Sequence, residues 1–360
     1  MGTRIAIVYN KPDTGKYQAR GEGIAVLGVL DCVAAVEKAL KELEHDVVLL
    51  PLSPPTTEIR DRIQAVNAAV LFNLFEGFED CPETEALVPE AAESLGIPYT
   101  GCSASTIRLA LDKGRAKGMM KTAGIRTADF QVLTPTTLGE FHLRYPCIVK
   151  PRAEDASHGL SEASVVHDAA ALARQVELMC TAYHGDALVE EFIGGREFNA
   201  TGMGNSFPIV LPASEIQYFL PENMPKLLTF AAKWEEDSLY FKGTKPVCPA
   251  PLTLNQRRQV IQTVVKTYQL FGCRGYARVD LRMDNNGYFN VIELNPNPDI
   301  TPGNGTARHA EATGWTYTDL IDRIVQLALE NSNDKNPPDA CPRQSDRDDD
   351  STRYARIPAT

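Results

Sequence analysis

The chain has no apolar run approaching the roughly 20 residues of a membrane span. It has no positive surplus either. Lys and Arg number 36 against 47 Asp and Glu, for a net charge of −11 and a pI of about 5.2. That balance excludes a general nucleic-acid binder and a protein drawn to anionic membrane surfaces. The eight cysteines, at 32, 81, 102, 147, 180, 248, 273 and 341, form no CxxC and no cluster. Reduced, mostly buried thiols in a cytoplasmic protein are the expectation. The six histidines, at 45, 142, 158, 167, 184 and 309, lack metal-ligand spacing. "MGTRIAIVYNKPDTG" shows no signal-peptide pattern, and Ala6 stands where myristoylation after Gly2 needs Ser or Thr. No GxGxxG follows the first strand, so a dinucleotide fingerprint is absent. Nucleophile elbows, Cys-His signatures and internal repeats are missing too.

What remains is a 360-residue chain, 43% hydrophobic and 23% charged, long enough for two or three domains. Its first hundred residues alternate strand and helix: strands at 4–9, 45–52 and 68–74, helices at 30–43, 57–67 and 84–96. That rhythm predicts a parallel sheet with flanking helices. Helices are expected at 103–111, 112–123, 168–182, 254–270 and 317–331. Strands are expected at 145–151, 187–193, 196–203 and 209–216. The polar, proline-bearing stretch 332–360 has the composition of a disordered tail.

"ARVDLRMDNNGYFNVIELNPNP" (277–298) is the most informative stretch. Asn286-Gly287 between alternating runs signals a hairpin with a two-residue type I′ turn. Asn285 then pairs with Tyr288, Asp280 faces Glu293 and Arg278 faces Asn295, all four of the latter on one face. Val279, Leu281 and Met283 against Ile292 and Leu294 form the core face. Two opposed carboxylates repel. Either a hard cation such as Mg²⁺ sits between them, or Arg278 neutralises them on a solvated face.

Other stretches admit two readings each. Lys150 ends a buried strand before a loop with Ser157 and Gly159, which suits a phosphate cradle or an ordinary strand end. "ALVEEFIGGREFNATG" brings Glu190, Glu191 and Glu197 together, either for adenine and ribose or as a solvated acidic hairpin. Lys113, Arg115, Lys117 and Lys121 read mostly as a solvated helix face. Lys233 and Trp234 precede an acidic run that looks like a mobile loop. Met119 and Met120 read as core. His158 and His309 read as satisfied surface histidines or as substrate contacts.

The order of these motifs resembles the ATP-grasp superfamily, and most of all its D-alanine–D-alanine ligase branch, over about residues 4–330. "GIPYTG", "DKGRAK", "GCRGYARVDLRMD" and "VIELN" carry the likeness. The resemblance implies an α/β, three-domain ATP-grasp architecture with an N-terminal parallel-sheet (preATP-grasp-like) domain at 1–101, a central subdomain at 102–193 and a C-terminal one at 194–331. It implies ATP with two Mg²⁺ ions, Mn²⁺ being an acceptable substitute. Lys113 and Lys150 would hold phosphates, with Ser157 and Gly159 in the covering loop. Glu191 and Ile193 would offer main-chain bonds to adenine beside Glu190, and Glu197 would bind ribose. Asp280 and Glu293 would hold one ion, Glu293 and Asn295 the second. Arg278, Lys233 and Ser157 would serve the reacting centre.

The departures concern the amino-acid pockets. The family's Glu-bearing stretch after the first strand is replaced by "NKPDTGKYQARGEG", in which that Glu is not placed. Ala156 replaces the first of two serines, Trp234 the tyrosine of the mobile loop, and "NPNPDITPGNG" the carboxylate-clamping tail. Asp299 stands in place of a glycine, and Glu76, Glu79, Asp80, Glu83 and Glu85 line the loop after "NLFEG". The implied activity is an ADP-forming carboxylate–amine ligase, acting through an acyl phosphate on amino acids or small peptides other than two D-alanines. D-alanine–D-alanine ligation and a non-catalytic ATP-binding module are the alternatives. Small-molecule carboxylate and amine substrates are implied as partners, with a homodimer left open and neither nucleic acid nor membrane involved.

Overall fold

A computed structural model describes residues 2–13, 15, 23–78, 81–154, 157–183 and 185–333. The N-terminal layer contains β1 (Arg4–Asn10), α1 (Gly23–Glu42), β2 (Asp46–Leu52), α2 (Ile59–Val66), β3 (Val70–Leu74) and α3 (Leu87–Leu95). Its three strands are parallel in the order β2-β1-β3. β1 and β3 are buried on both faces, which is why they read as continuous apolar runs rather than alternating ones. α3 ends where Gly96 takes a left-handed φ of 67°, the conformation that terminates a helix most cheaply.

Next come α4 (Ala104–Leu111), α5 (Lys113–Thr122), β4 (Phe130–Leu133), β5 (Cys147–Pro151), β6 (Val165–Val166), α6 (Ala169–Ala182) and β7 (Ala187–Glu191). Ser103, Asp112 and Asp168 cap the three helices by accepting from Thr106, Arg115 and Ala171. The sheet order is β4-β7-β5-β6, antiparallel throughout. β4 is too short, at four residues, to stand out from the sequence.

The third sheet uses β8 (Glu197–Met203), β9 (Ile209–Val210), β10 (Ser214–Tyr218), β11 (Thr244–Val247), β12 (Tyr276–Met283) and β13 (Phe289–Asn295). Its helices are α7 (Phe230–Trp234), α8 (Leu239–Gly243), α9 (Leu254–Leu270), α10 (Gly305–Glu311) and α11 (Tyr317–Asn333). The path is β11-β10-β8-β12-β13, with β9 on β8. The single strand expected at 209–216 is two, interrupted around Pro212. Lys233 itself lies in α7, and the acidic run 235–238 that follows it is the turn between the short helices α7 and α8.

Packing crosses the sequence order. α11 closes one face of the N-terminal sheet, placing Leu320, Ile321 and Ile324 against Ile5, Ile7 and Phe72. α4 and α5 put Ala110, Ala116 and Met120 into the core of the third sheet with Phe198, Val279 and Leu281. α11 runs two residues past the expected end at 331. Residues 334–360, which hold Cys341 and most of the expected tail, lie outside the described residues.

The hairpin corrects the sequence reading in two places that cancel. Asp284 N donates to Tyr288 O at 2.9 Å and Gly287 has φ +80°, so the loop has three residues, 285–287, rather than two. Left alone, that change would put Glu293 on the core face, since a one-residue slip inverts every side chain. A bulge between Asp280 and Leu281 restores the register, and Asp280 pairs with Glu293 and Arg278 with Asn295 as expected. Ile292 is the extra residue. It lines a cleft, and Val291 takes its place in the core opposite Leu281.

Candidate active site

One cleft gathers most of the candidate residues. Lys113, Lys150, Ser157, Glu190, Glu191, Ile193, Glu197, Lys233, Asp280 and Glu293 all line it. One wall is the polar face of β8, β12 and β13. Arg278 donates to both Asp280 oxygens, at 2.7 and 2.9 Å, while Asn295 Nδ2 lies 3.2 Å from Asp280 Oδ2 and 3.4 Å from Glu293 Oε1. Lys113 Nζ stands 3.6 Å from Glu293 Oε2. The face is therefore partly buried rather than solvated, and the direct hydrogen bonds of Arg278 to this pair go to Asp280.

These charges shape one another. Burial alone would raise Glu293, but Lys113, Lys150, Arg278 and Lys233 hold it down at about 2. Asp280 is pushed up by burial and by Glu293, against the pull of Arg278. Among the described residues no three His, Cys, Asp or Glu side chains converge as a closed metal cage. Two carboxylates and an amide oxygen are instead the sparse, hard donor set that suits Mg²⁺ when substrate phosphates complete its shell.

The opposite wall corrects the lysine reading. Lys113 and Lys117 are not on a solvated face; they are 6% and 1% exposed. Lys150 Nζ and Lys117 Nζ grip the two oxygens of Glu190, at 2.5 and 2.8 Å. The Glu191 side chain turns away to Arg144, at 2.8 Å, and its N–H donates to Asp129 O. Ile193 O accepts from Arg282 Nη1 at 2.6 Å. Glu197 accepts from Arg282 and, at 2.6 Å, from Tyr218 Oη. Arg282 was missed, although strand alternation puts it on the face of Arg278 and Asp280.

Ser157 sits at φ +63° with its hydroxyl on Leu228 O at 3.0 Å, and Gly159 at φ +74° packs against Tyr183 so closely that a Cβ would stand 2.8 Å from the ring. Ala156 lies outside the described residues, as do Glu79, Asp80, His184, Thr14 and 16–22. Glu83 and Glu85 belong to the short helix Pro82–Ala86, and Asn10 accepts from the Glu76 N–H. Asp299 braces its own loop, accepting from Thr301 N, Thr301 Oγ1 and Asn304 Nδ2.

His158 and His309 are buried, not surface, histidines. His309 faces Asn199 Oδ1 and Thr201 Oγ1, each at 2.9 Å, and burial with Arg278 and Arg308 nearby drops it to about 3. The folded state therefore resists protonating it, and stability complete above the ordinary histidine value is lost as pH falls below it. Between pH 7 and pH 5 the wild type should lose about 2 kcal/mol more than His309→Gln in urea unfolding. Equal losses would sink this account of His309.

A family model described as D-ala D-ala ligase C-terminus matches residues 119–326, more than half of the chain. The chain belongs to the D-alanine–D-alanine ligase family. It is thus an ADP-forming ATP-grasp ligase that joins carbon to nitrogen, in a family that takes ATP and small carboxylate and amine substrates. This ligase is 33% identical to the uncharacterized protein y4sG of Sinorhizobium fredii, over 90% of its own length and 96% of that protein. It is 31% identical to the D-alanine–D-alanine ligase of Mannheimia succiniciproducens, over 68% and 76% of the two chains. In fold it matches the D-alanine–D-alanine ligase of Bacillus anthracis complexed with ATP, with a TM-score of 0.70 at 20% identity, covering 93% of this chain and 99% of that one. The VanG D-Ala:D-Ser ligase of Enterococcus faecalis gives 0.69 at 18% identity, covering 91% and 100%. No helix among the described residues of the ligase is long and apolar enough to cross a membrane.

Proposed function

We propose that this ligase couples ATP cleavage to amide formation between an amino acid or small peptide and an amine, on substrates other than two D-alanines. The observation that carries the reading is the cleft itself. It sets Lys113 and Lys150 opposite the shared face of Asp280, Glu293 and Asn295. A substrate carboxylate oxygen attacks the γ-phosphorus and ADP leaves. The amine nitrogen then attacks the acyl carbon, phosphate departs and the nitrogen loses a proton. Lys113, Lys150 and Lys233 place positive charge around the transferring group, and Arg278 steadies the oxygens at the reacting carbon. Asp280, Glu293 and Asn295 would hold Mg²⁺, which would supply charge neutralisation to the transferring phosphate. Ile193 and Glu191 would contact adenine and Glu197 the ribose, while Ser157 and Gly159 cover the phosphates.

We assign 1–101, 102–193 and 194–331 as the three domains of this reading. A cytoplasmic setting, where ATP is plentiful, belongs to it. So does a homodimer, supported by the exposed strip of Ile24, Leu27 and Leu30 on α1. True D-alanine–D-alanine ligation is the second reading, favoured by the ligases among its relatives.

Incubation with ATP, Mg²⁺ and a panel of amino acids and dipeptides should release ADP and phosphate only when the right pair is present, with the product identified by mass spectrometry. AMP and pyrophosphate would mean that the carboxylate is adenylated and that the reaction class is wrong. Tight ATP binding without turnover on any pair would favour a non-catalytic module.

A further inference from the structure

Lys117 is a deeply buried charged side chain that the reaction above leaves unused. It is 1% exposed and does not line the cleft, whereas Lys150 and Glu190, which it stands behind, both do. Three separate elements meet there: α5 brings Lys117, β5 brings Lys150 and β7 brings Glu190. Glu190 is 3% exposed, and each of its oxygens is taken by one ammonium, at 2.8 and 2.5 Å. Lys117 is fixed a second time by Thr127 Oγ1 at 2.8 Å, which in turn donates to Val291 O at 2.7 Å. We propose that Lys117 is a positioning residue for nucleotide binding: by neutralising Glu190 from behind, it keeps the charge of Lys150 available to phosphates. This rests on the cleft being the nucleotide site.

Two buried ammonium groups against one buried carboxylate leave one net positive charge, and the group facing the cleft is Lys150. Without Lys117, Lys150 and Glu190 form a one-to-one buried pair whose fields cancel at the phosphates. Burial makes the difference matter, because charges shielded from water are screened little by solvent or salt. Lys113, one helical turn before Lys117, cannot compensate: it is held by Glu154 O at 2.7 Å and faces Glu293.

A second line of support comes from the groups that surround Lys117. Burial pulls its ammonium down to about 8; Lys150 on β5 adds to the pull, while Glu190 on β7 and Glu293 on β13 oppose it. The positive charge that supports Lys150 is therefore lost as pH rises through that value. A bound polyphosphate favours the protonated form, so affinity for it should fall over the same range.

Calorimetric titration of the full chain with ADP tests this without any knowledge of the amino-acid substrates. Lys117→Met should raise the Kd for ADP at least about tenfold. Lys117→Arg, which keeps a positive charge behind Glu190, should bind within a few fold of wild type. Wild-type affinity should fall between pH 7 and pH 9, and that slope should be absent in Lys117→Arg, whose guanidinium stays charged throughout. A Lys117 that only packs predicts no such change of slope. Wild-type affinity in Lys117→Met, a Lys117→Arg as weak as a poorly binding Lys117→Met, or identical pH slopes would each overturn the proposal. Should Lys117→Met not fold, as read by circular dichroism, Lys117→Arg and the two pH profiles decide alone. Absence of ADP binding by wild type at every pH would overturn the nucleotide reading itself, an outcome separate from any effect of Lys117.

Discussion

Glu293→Gln should leave a folded protein whose turnover falls by about 10²–10³-fold. Glu293 is the centre of the charged face. It pairs with Asp280 across the hairpin, lies within 3.4 Å of Asn295 and 3.6 Å of Lys113, and is held ionised by four cations. Under the proposed ligand scheme it is the one carboxylate shared by both ion sites, so neutralising it weakens both together. Gln keeps the shape and one oxygen, and Glu293 is not part of the apolar core, so the thermal transition should remain cooperative. The specific sign is a split. ADP binding in the absence of Mg²⁺ should survive, whereas the gain in affinity on adding Mg²⁺ should shrink. Wild-type rates in the variant at saturating Mg²⁺ would defeat the metal assignment.

How much of this face was legible depended on which forces set it. The pairing of Asp280 with Glu293 could be read from strand alternation, because the two ends of the hairpin had to present their apolar residues to one core. The route to that pairing could not. A three-residue loop and a compensating bulge are both small backbone choices, and each alone is invisible in an Asn-Gly signal. Helix spans such as Ala104–Leu111 and Leu254–Leu270 were legible because caps and periodicity agree on them. Lys113 and Lys117 on α5 were misread for a different reason, while Arg115 and Lys121 are exposed as expected. Charged residues on a polar helix normally face water, and only Glu190 on the β7 strand, 73 residues later, supplies the carboxylate that makes burial of Lys117 tolerable. The same holds for His309, whose partners Asn199 and Thr201 come from β8, more than 100 residues earlier. Local pattern exposes what each element offers; partners brought in by tertiary packing stay hidden.

With D-alanine as sole amino acid, ATP and Mg²⁺ present, the purified ligase should release little phosphate and form little or no dipeptide. The reason lies in the loop after β13. Where the resemblance to the dipeptide ligases implies a glycine, this chain has Asp299, whose two oxygens are occupied by Thr301 and Asn304. Asn304 Nδ2, at the position expected to help clamp an acceptor carboxylate, is thus spent 2.5 Å from Asp299 Oδ2. Its neighbour Gly305 offers no side chain, and a Cβ there would come within 3.3 Å of Arg278. A zwitterionic acceptor would bring its own carboxylate against a fixed negative charge and find its clamp taken. Sites that hydrogen-bond a substrate group discriminate by several orders of magnitude when those bonds are lost. The same loop should tolerate an amine that lacks the α-carboxylate or carries an added cation. Asp299→Gly separates the loop from the rest of the pocket: it removes the charge and frees Asn304, so any residual D-alanine-dependent phosphate release should rise. Efficient D-alanyl-D-alanine synthesis by the wild-type protein would sink this specificity and make dipeptide ligation the better reading.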